Sequence, residues 1–175
     1  MAVKSLKNAT LQILDASGTP NVVTVLLGQG NVTWTENYGY DYETERGDIG
    51  NGSVRDADEQ PVELNVTSKW ENTYYNGSDP DNAPDGDTDA TVTPYEALKG
   101  VEAASAWTST GADACEPYAV KVRIEFDVTC GSVVDETVTF DEFRCESCAF
   151  DVQAGTLVFS GKSKQVRPTV VRANL

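Results

Sequence analysis

Alternation between apolar and polar side chains recurs along the chain and predicts β-strands. Residues 62–70 and 120–128 place apolar side chains at nearly every second position, with mostly polar or charged residues between them. Because successive side chains of a strand point to opposite faces, this period of two indicates strands that bury one face. Shorter apolar and aromatic runs predict further strands at residues 22–27, 31–35, 38–42, about 134–143, 149–152, 156–161 and 165–172.

A single substantial helix is predicted in the middle of the chain, after a long exposed loop. The loop, residues 71–93, contains six acids and no base, and it is rich in the Asn, Asp and Gly that favour turns. Thr93 can cap the helix, Pro94 suits its first position and Glu96 completes a capping box. The apolar spacing that follows predicts a helix from 94 to about 107.

The length of 175 residues fits one domain with one hydrophobic core. Neither an internal repeat nor a change of composition marks a boundary within the chain. We therefore predict a single, mainly β domain over residues 1–175, interrupted by the acidic loop.

The composition excludes several kinds of chemistry. Histidine is absent and the one methionine is Met1, which removes Ser-His-Asp and Cys-His hydrolysis, HExxH zinc sites and haem ligation by histidine. Paired carboxylates, a nucleophile elbow and a phosphate-cradling glycine loop are not evident either, so we predict that the protein is not an enzyme. The chain also lacks an apolar run that could cross a bilayer and a secretory signal, which predicts cytoplasmic synthesis and no membrane partner.

Charge is distributed unevenly. The chain has 28 acids against 13 bases, a net charge of −15, which disfavours a nucleic-acid binder because phosphate contacts need a basic surface. The acids all lie within residues 15–151, whereas the ends of the chain carry a set of bases: Lys4, Lys7, Lys162, Lys164, Arg167 and Arg172. One interpretation is solubility. The other is that the basic termini dock on an acidic body, either their own or that of a neighbouring subunit.

The cysteines leave three alternatives open. They lie at positions 115, 130, 145 and 148. A hairpin turn at Gly131 would set Cys115 opposite Cys148 and leave Cys130 far away at the turn. The alternatives are free thiols, one disulfide between Cys115 and either Cys145 or Cys148, and a metal site.

A calcium site is the one cofactor hypothesis. Asp85, Asp87, Asp89 and Glu96 match positions one, three, five and twelve of an EF-hand loop. Ala90 stands where the loop's sharp turn requires glycine, and Glu96 is already assigned to the capping box. The alternative is a solvated acidic loop without a cofactor.

Several stretches together resemble the tail tube (major tail) proteins of tailed bacteriophages, especially those with long non-contractile tails. These are the segment 47–60 with Arg55 among acids, the strand 61–70, the acidic loop before one helix, and Gly155–Lys162 leading to Val166–Pro168. The resemblance covers most of the chain loosely, and it does not extend to the cysteines.

The resemblance implies a β-sandwich or barrel-like tail tube fold with one flanking α-helix. It also implies hexameric rings of the chain that stack into a hollow tube, assembled with other tail proteins in the virion. Viral DNA would pass along an acidic lumen without specific binding. The terminal bases listed above, from Lys4 to Arg172, are then expected to contact adjacent subunits.

Two alternatives stay open. One is another virion component of similar build, such as a tail terminator, a decoration protein or a fibre-base protein. The other is a carbohydrate-binding β-sandwich that uses Trp34, Trp70 and the cluster of Tyr38, Tyr40 and Tyr42 as sugar platforms.

Overall fold

The computed structural model describes residues 9–45, 48–70, 92–126 and 136–172, and it confirms a mainly β fold. One short α-helix and one 3-10 turn, Glu102–Ala104, accompany the strands. The helix and strands are, in chain order, β1 Ala9–Leu14, β2 Val22–Val25, β3 Asn31–Thr35, β4 Tyr40–Glu45, β5 Asp48–Asp56, β6 Val62–Lys69, α1 Pro94–Lys99, β7 Val120–Phe126, β8 Glu136–Asp151, β9 Thr156–Ser163 and β10 Thr169–Arg172.

The main sheet is antiparallel and curls towards a barrel. Its strand order is β2-β1-β7-β8-β9-β6-β3, and β10 also pairs with β8. The two end strands, β2 and β3, are joined only by residues 26–30, and the Lys69 N–H donates to the Leu26 carbonyl at 2.8 Å. A connection this short keeps the two ends of the sheet close together. The rings of Trp34 on β3 and Phe140 on β8 meet edge to face, with centroids 5.9 Å apart.

Strand β8 joins the two halves of this sheet. It pairs with β7 and β10 along its first half and with β9 along its second half. The sequence predicts two separate strands here, at about 134–143 and 149–152, but the structure has one strand of 16 residues. Register shifts near Glu142, which has a φ of 49°, and between Cys145 and Ser147 keep it continuous. A bulge adds a residue to one strand without ending the ladder.

One hydrophobic core lies inside the curled sheet. Apolar positions alternate with polar ones on β6 and β7 as the sequence predicts. Phe140, Phe143 and Phe159 are fully buried, and the last two rings meet edge to face at 6.4 Å. Trp70 lies just beyond β6 and is half-exposed against Phe150 rather than in the core. The alternation of positions therefore predicts which side chains are buried within a strand, but it does not predict burial beyond the end of the strand.

The predicted capping box is confirmed, but the predicted length of the helix is wrong. Thr93 Oγ1 accepts from the Glu96 N–H at 3.3 Å, and Glu96 Oε2 accepts from the Thr93 N–H at 2.8 Å. The helix ends at Lys99 rather than near residue 107, because Gly100 takes a left-handed conformation with φ 63°. Glycine adopts this conformation without a steric penalty and commonly terminates helices.

Two strands were not predicted. β1 was missed although Leu11 and Ile13 already alternate with polar residues. The other strand is β5, Asp48–Asp56, which lies between the predicted strands at 38–42 and 62–70. A Cβ at Gly52 would collide with the carbonyl oxygen of Glu43 on β4. The glycine is therefore needed for close strand pairing.

A buried carboxylate connects the β1–β2 turn to the segment after α1. Asp15, 3% exposed, accepts from the Ser17 hydroxyl, the Asn21 N–H and the Asn21 side-chain amide, each at 2.8 Å, and from the Thr108 N–H at 3.2 Å. Burial acts to raise the pKa of Asp15, but the hydrogen bonds outweigh it and the pKa is lowered.

We predict that Asp15→Asn lowers the free energy of unfolding by about 1–3 kcal/mol, because an amide nitrogen cannot accept from these donors. With a folded pKa below the ordinary value of 3.8, the ionised carboxylate stabilises the fold above that value. This contribution is lost as the pH falls through the folded pKa. Urea unfolding at pH 7 and pH 3 should therefore show a smaller difference between the two proteins at pH 3. Asp58→Asn, at an exposed carboxylate, is the control and should change stability by less than about 0.5 kcal/mol.

Candidate assembly surfaces

The hairpin β4–β5 forms a two-stranded sheet of its own, apart from the main sheet. Tyr42 lies opposite Val54, and Tyr40 lies opposite Asp56. Alternation along each strand puts the two tyrosines and Val54 on one face. Their exposed fractions are 50% for Tyr40, 61% for Tyr42 and 59% for Val54. Asp56 shares this face with them, and the residues that the structure describes leave its aromatic and aliphatic side chains exposed.

The other face of the hairpin is charged. Arg55 lies opposite Asp41 and forms an ion pair with Glu43 at 3.0 Å. The Ser53 hydroxyl donates to Glu43 Oε2 at 3.2 Å. The hairpin is thus an amphipathic ribbon whose polar face suits water and whose apolar face suits another protein surface.

An acidic and aromatic cleft of about 300 Å³ lies at the base of this hairpin. Its walls include Tyr38, Tyr40, Asp56, Asp58 and Val166. The Tyr38 hydroxyl donates to Glu36 Oε2 at 2.7 Å, and this hydrogen bond raises the pKa of Tyr38. The cleft extends the uncovered aromatic face towards the main body.

The aromatic residues predicted as sugar platforms lie at separate places on the molecule. Trp34 packs against Phe140, whereas Trp70 packs against Phe150 with ring centroids 5.1 Å apart. These phenylalanines lie ten positions apart on β8, a separation of roughly 30 Å along a strand. The tyrosines share the hairpin region, but the two tryptophans are held at distant points of the sheet.

The basic residues near the C-terminus lie beside acids of the same chain. Lys162 Nζ is 3.7 Å from Glu63, and Arg172 Nε is 3.1 Å from Glu136. Arg167 lies close enough to Tyr38 to oppose the rise in its pKa. Docking on the chain's own acidic body therefore has structural support for Lys162 and Arg172. The predicted contacts of these bases with neighbouring subunits stay a prediction, and Lys4 and Lys7 lie outside the described residues.

Lys164 belongs to a four-residue charge network. Its Nζ is 2.6 Å from Glu116 Oε1, and Arg144 Nη2 is 2.5 Å from Glu116 Oε2. Both cations also approach Glu142, at 3.7 and 3.5 Å. The hydrogen bond to Lys164 lowers the pKa of Glu116 and raises that of Lys164. The network fastens the loop before β7 to β8 and to the end of β9.

The calcium hypothesis is untested. Asp85, Asp87 and Asp89 lie outside the described residues. Glu96, its fourth residue, uses Oε2 to accept from both the N–H and the hydroxyl of Thr93, each at 2.8 Å. Within the part of the chain that the structure describes, no three candidate ligands lie together.

The cysteines are arranged differently from the prediction. β7 begins at Val120, opposite Phe143, so Cys115 lies outside the strand and is exposed. Cys148 lies opposite Phe159 of β9, not opposite Cys115. The expected strand register, with Cys115 opposite Cys148, is therefore wrong, whereas a disulfide of Cys115 stays a prediction. The contact that the structure shows instead joins Cys145 Sγ and Cys148 Sγ at 3.1 Å, and the thiols at 115, 145 and 148 are free.

Comparison with known proteins adds evidence at the level of the fold. No protein-family model and no curated protein sequence matches the chain. Solved structures do match over nearly its whole length. The sheath/tube terminator of an extracellular contractile injection system (PVC) in its extended state is 9% identical, with 98% of each chain covered and a TM-score of 0.56.

Two further solved structures have a similar fold. The sheath-tube complex of the same kind of system matches at 10% identity over 98% of this chain and 93% of the other, with a TM-score of 0.52. The tube-terminating cap of the anti-feeding prophage matches at 11% identity over 99% and 93%, with a TM-score of 0.54.

The chain shares the fold of tail-tube-related proteins. This supports the resemblance inferred from the sequence at that level. Two of the three structures come from a contractile system, so they give no support to a non-contractile type in particular. Among the described residues, no helix is both long and apolar enough to span a membrane.

The exposed face of the hairpin should add little to the stability of a single chain. We predict that the double variant Tyr42→Ser, Val54→Ser changes the free energy of unfolding of the dilute, unassembled protein by less than about 1 kcal/mol, because both side chains are largely hydrated already. Ile124→Ala, at a fully buried position, should cost about 2–5 kcal/mol. Urea unfolding measures both. A large loss in the double variant would show that the hairpin packs on its own chain.

Proposed function

We propose that the protein is a structural component of a phage-tail-like tube and that it acts by assembling with copies of itself. The observation that carries this proposal is the amphipathic hairpin, because Tyr40, Tyr42 and Val54 on one of its faces are left exposed by the part of the chain that the structure describes. An isolated two-stranded hairpin is only marginally stable in water. Docking this face on another subunit would order the hairpin and remove its apolar side chains from water.

A second copy of the chain is the partner that the surface favours. β10 pairs with β8 and is exposed along its length, with Val170 and Val171 facing solvent. Exposed sheet edges and apolar patches are liabilities in a free monomer. Repeated contacts between identical subunits, as in a closed ring, would cover both features in every copy.

The finer proposal is a hexameric ring that stacks with others into a tube in the virion tail, together with other tail proteins. Its support is the sequence resemblance, the shared fold and the net charge of −15. An acidic lumen would let DNA pass without retaining it, because like charges remove the release of counterions that favours binding. The terminal bases, Lys4 and Lys7 included, would then contribute subunit contacts.

A tube terminator is the second candidate. The similarity to the sheath/tube terminator covers 98% of both chains with a TM-score of 0.56, and another structure with this fold is a tube-terminating cap. A terminator would form one closed ring and would not grow into filaments. A tube subunit would grow into filaments of variable length.

We predict that the purified protein forms rings or filaments in negative-stain electron microscopy, and that Tyr42→Ser, Val54→Ser abolishes them. Val152→Ser is the matched control, since Val152 is 79% exposed at the β8–β9 turn, away from the hairpin. Filaments of variable length would favour the tube subunit, and single closed rings the terminator. A wild-type protein that stays monomeric at every concentration and salt would overturn the proposal.

A further inference from the structure

Cys145 and Cys148 lie together because of a bulge in β8. In a regular strand, residues three apart point to opposite faces. Here Cys145 lies opposite Gly161 and Cys148 opposite Phe159, so Glu146 and Ser147 together face one residue of β9. The extra residue turns both thiols to the same face. Both side chains are half-buried against the core, with their sulfur atoms 3.1 Å apart.

Neighbouring residues hold this bulge in place. A Cβ at Gly161 would collide with the carbonyl oxygen of Arg144, so the glycine permits the close approach of β9. On the other side, Lys99 Nζ at the end of α1 donates to the Cys145 carbonyl at 2.8 Å. The two thiols are thus brought together by the fold rather than by a chance rotamer.

We propose that Cys145 and Cys148 are a thiol-oxidation site that forms a disulfide within β8. The oxidant is a low-molecular-weight disulfide such as oxidised glutathione. The Cys148 thiolate attacks one sulfur, forms a mixed disulfide and releases one glutathione. Cys145 then loses its proton and attacks the Cys148 sulfur, releasing the second glutathione. The protein loses two electrons and two protons, and the oxidised glutathione gains them.

The environment assigns the two thiols different roles. The hydrogen bond from Cys145 lowers the pKa of Cys148 to about 7, with Lys99 acting in the same direction and burial opposing it. The same hydrogen bond and burial raise the pKa of Cys145. Cys148 is therefore the attacking thiol, and Cys145 is the resolving one.

The pairing differs from the disulfide with Cys115 that the sequence suggested. Cys115 is exposed in the loop before β7, where its N–H donates to Asp113. The inference does not depend on the proposed function, because the two thiols meet within a single chain.

Mass spectrometry of the full chain tests the pairing directly. Trypsin cleavage after Arg144 and Lys162 places both cysteines in one peptide, residues 145–162. After incubation with oxidised glutathione and alkylation of the remaining thiols, this peptide should carry no alkyl group and weigh two hydrogens less than its reduced form. Dithiothreitol should restore two alkylated cysteines.

Variants separate the roles of the two thiols. Cys145→Ser should accumulate a stable glutathione adduct at Cys148, because the resolving thiol is missing. Cys148→Ser should react at least several-fold more slowly at position 145. Cys115→Ser is the matched control and should form the internal disulfide like the wild type. A disulfide that joins peptide 145–162 to Cys115 or Cys130, or two alkylated cysteines after oxidation of the wild type, would overturn the proposal.

Discussion

The register of β8 is the constraint on which the rest of the fold depends. This strand pairs with β7, β9 and β10 and so connects both halves of the curled sheet. A slip of one residue in a strand moves every side chain to the opposite face. The two irregularities near Glu142 and Glu146 each absorb one residue, which keeps Phe140, Phe143 and Cys148 directed at the same core. Without them, Glu142, Arg144 and Glu146 would point inward, because each lies an even number of positions from Phe140.

Polar contacts fix the positions of loop segments that lie outside the sheet. The Asp15 carboxylate gathers the β1–β2 turn and Thr108 around one buried charge, and its hydrogen bonds outweigh the cost of burial. The network around Glu116 fastens the loop before β7 to β8 in the same way. The β4–β5 hairpin lies outside the core in a separate two-stranded sheet, and the assembly that we propose rests on that separation. The apolar side chains of the core are buried within the single chain, whereas those on the aromatic face of the hairpin are exposed to water.

The fold is similar to those of tube and terminator structures although the sequences are only 9–11% identical, and this has a physical explanation. A fold of this type depends on the alternation of apolar and polar positions and on where turns and bulges occur, and many sequences satisfy these conditions. Function does not follow from the fold alone. The function that we propose depends on the surfaces that the described residues leave exposed, which include the aromatic face of the hairpin and strand β10.

Features that depend on near neighbours could be predicted from the sequence. These are the alternation along β6 and β7, the capping box at Thr93 and the mainly β class. The end of α1 was also encoded locally, by Gly100, although the apolar spacing beyond it obscured the signal. The bulges, the exposure of the hairpin and the contact between the thiols could not be predicted from the sequence, because they depend on residues that are distant along the chain. The role of Gly161 becomes evident only beside Arg144 of the neighbouring strand, and the exposure of the hairpin tyrosines becomes evident only in the folded chain. Long-range pairing therefore selected Cys145 as the neighbour of Cys148, since the extra residue at the bulge reverses the direction that regular strand geometry assigns.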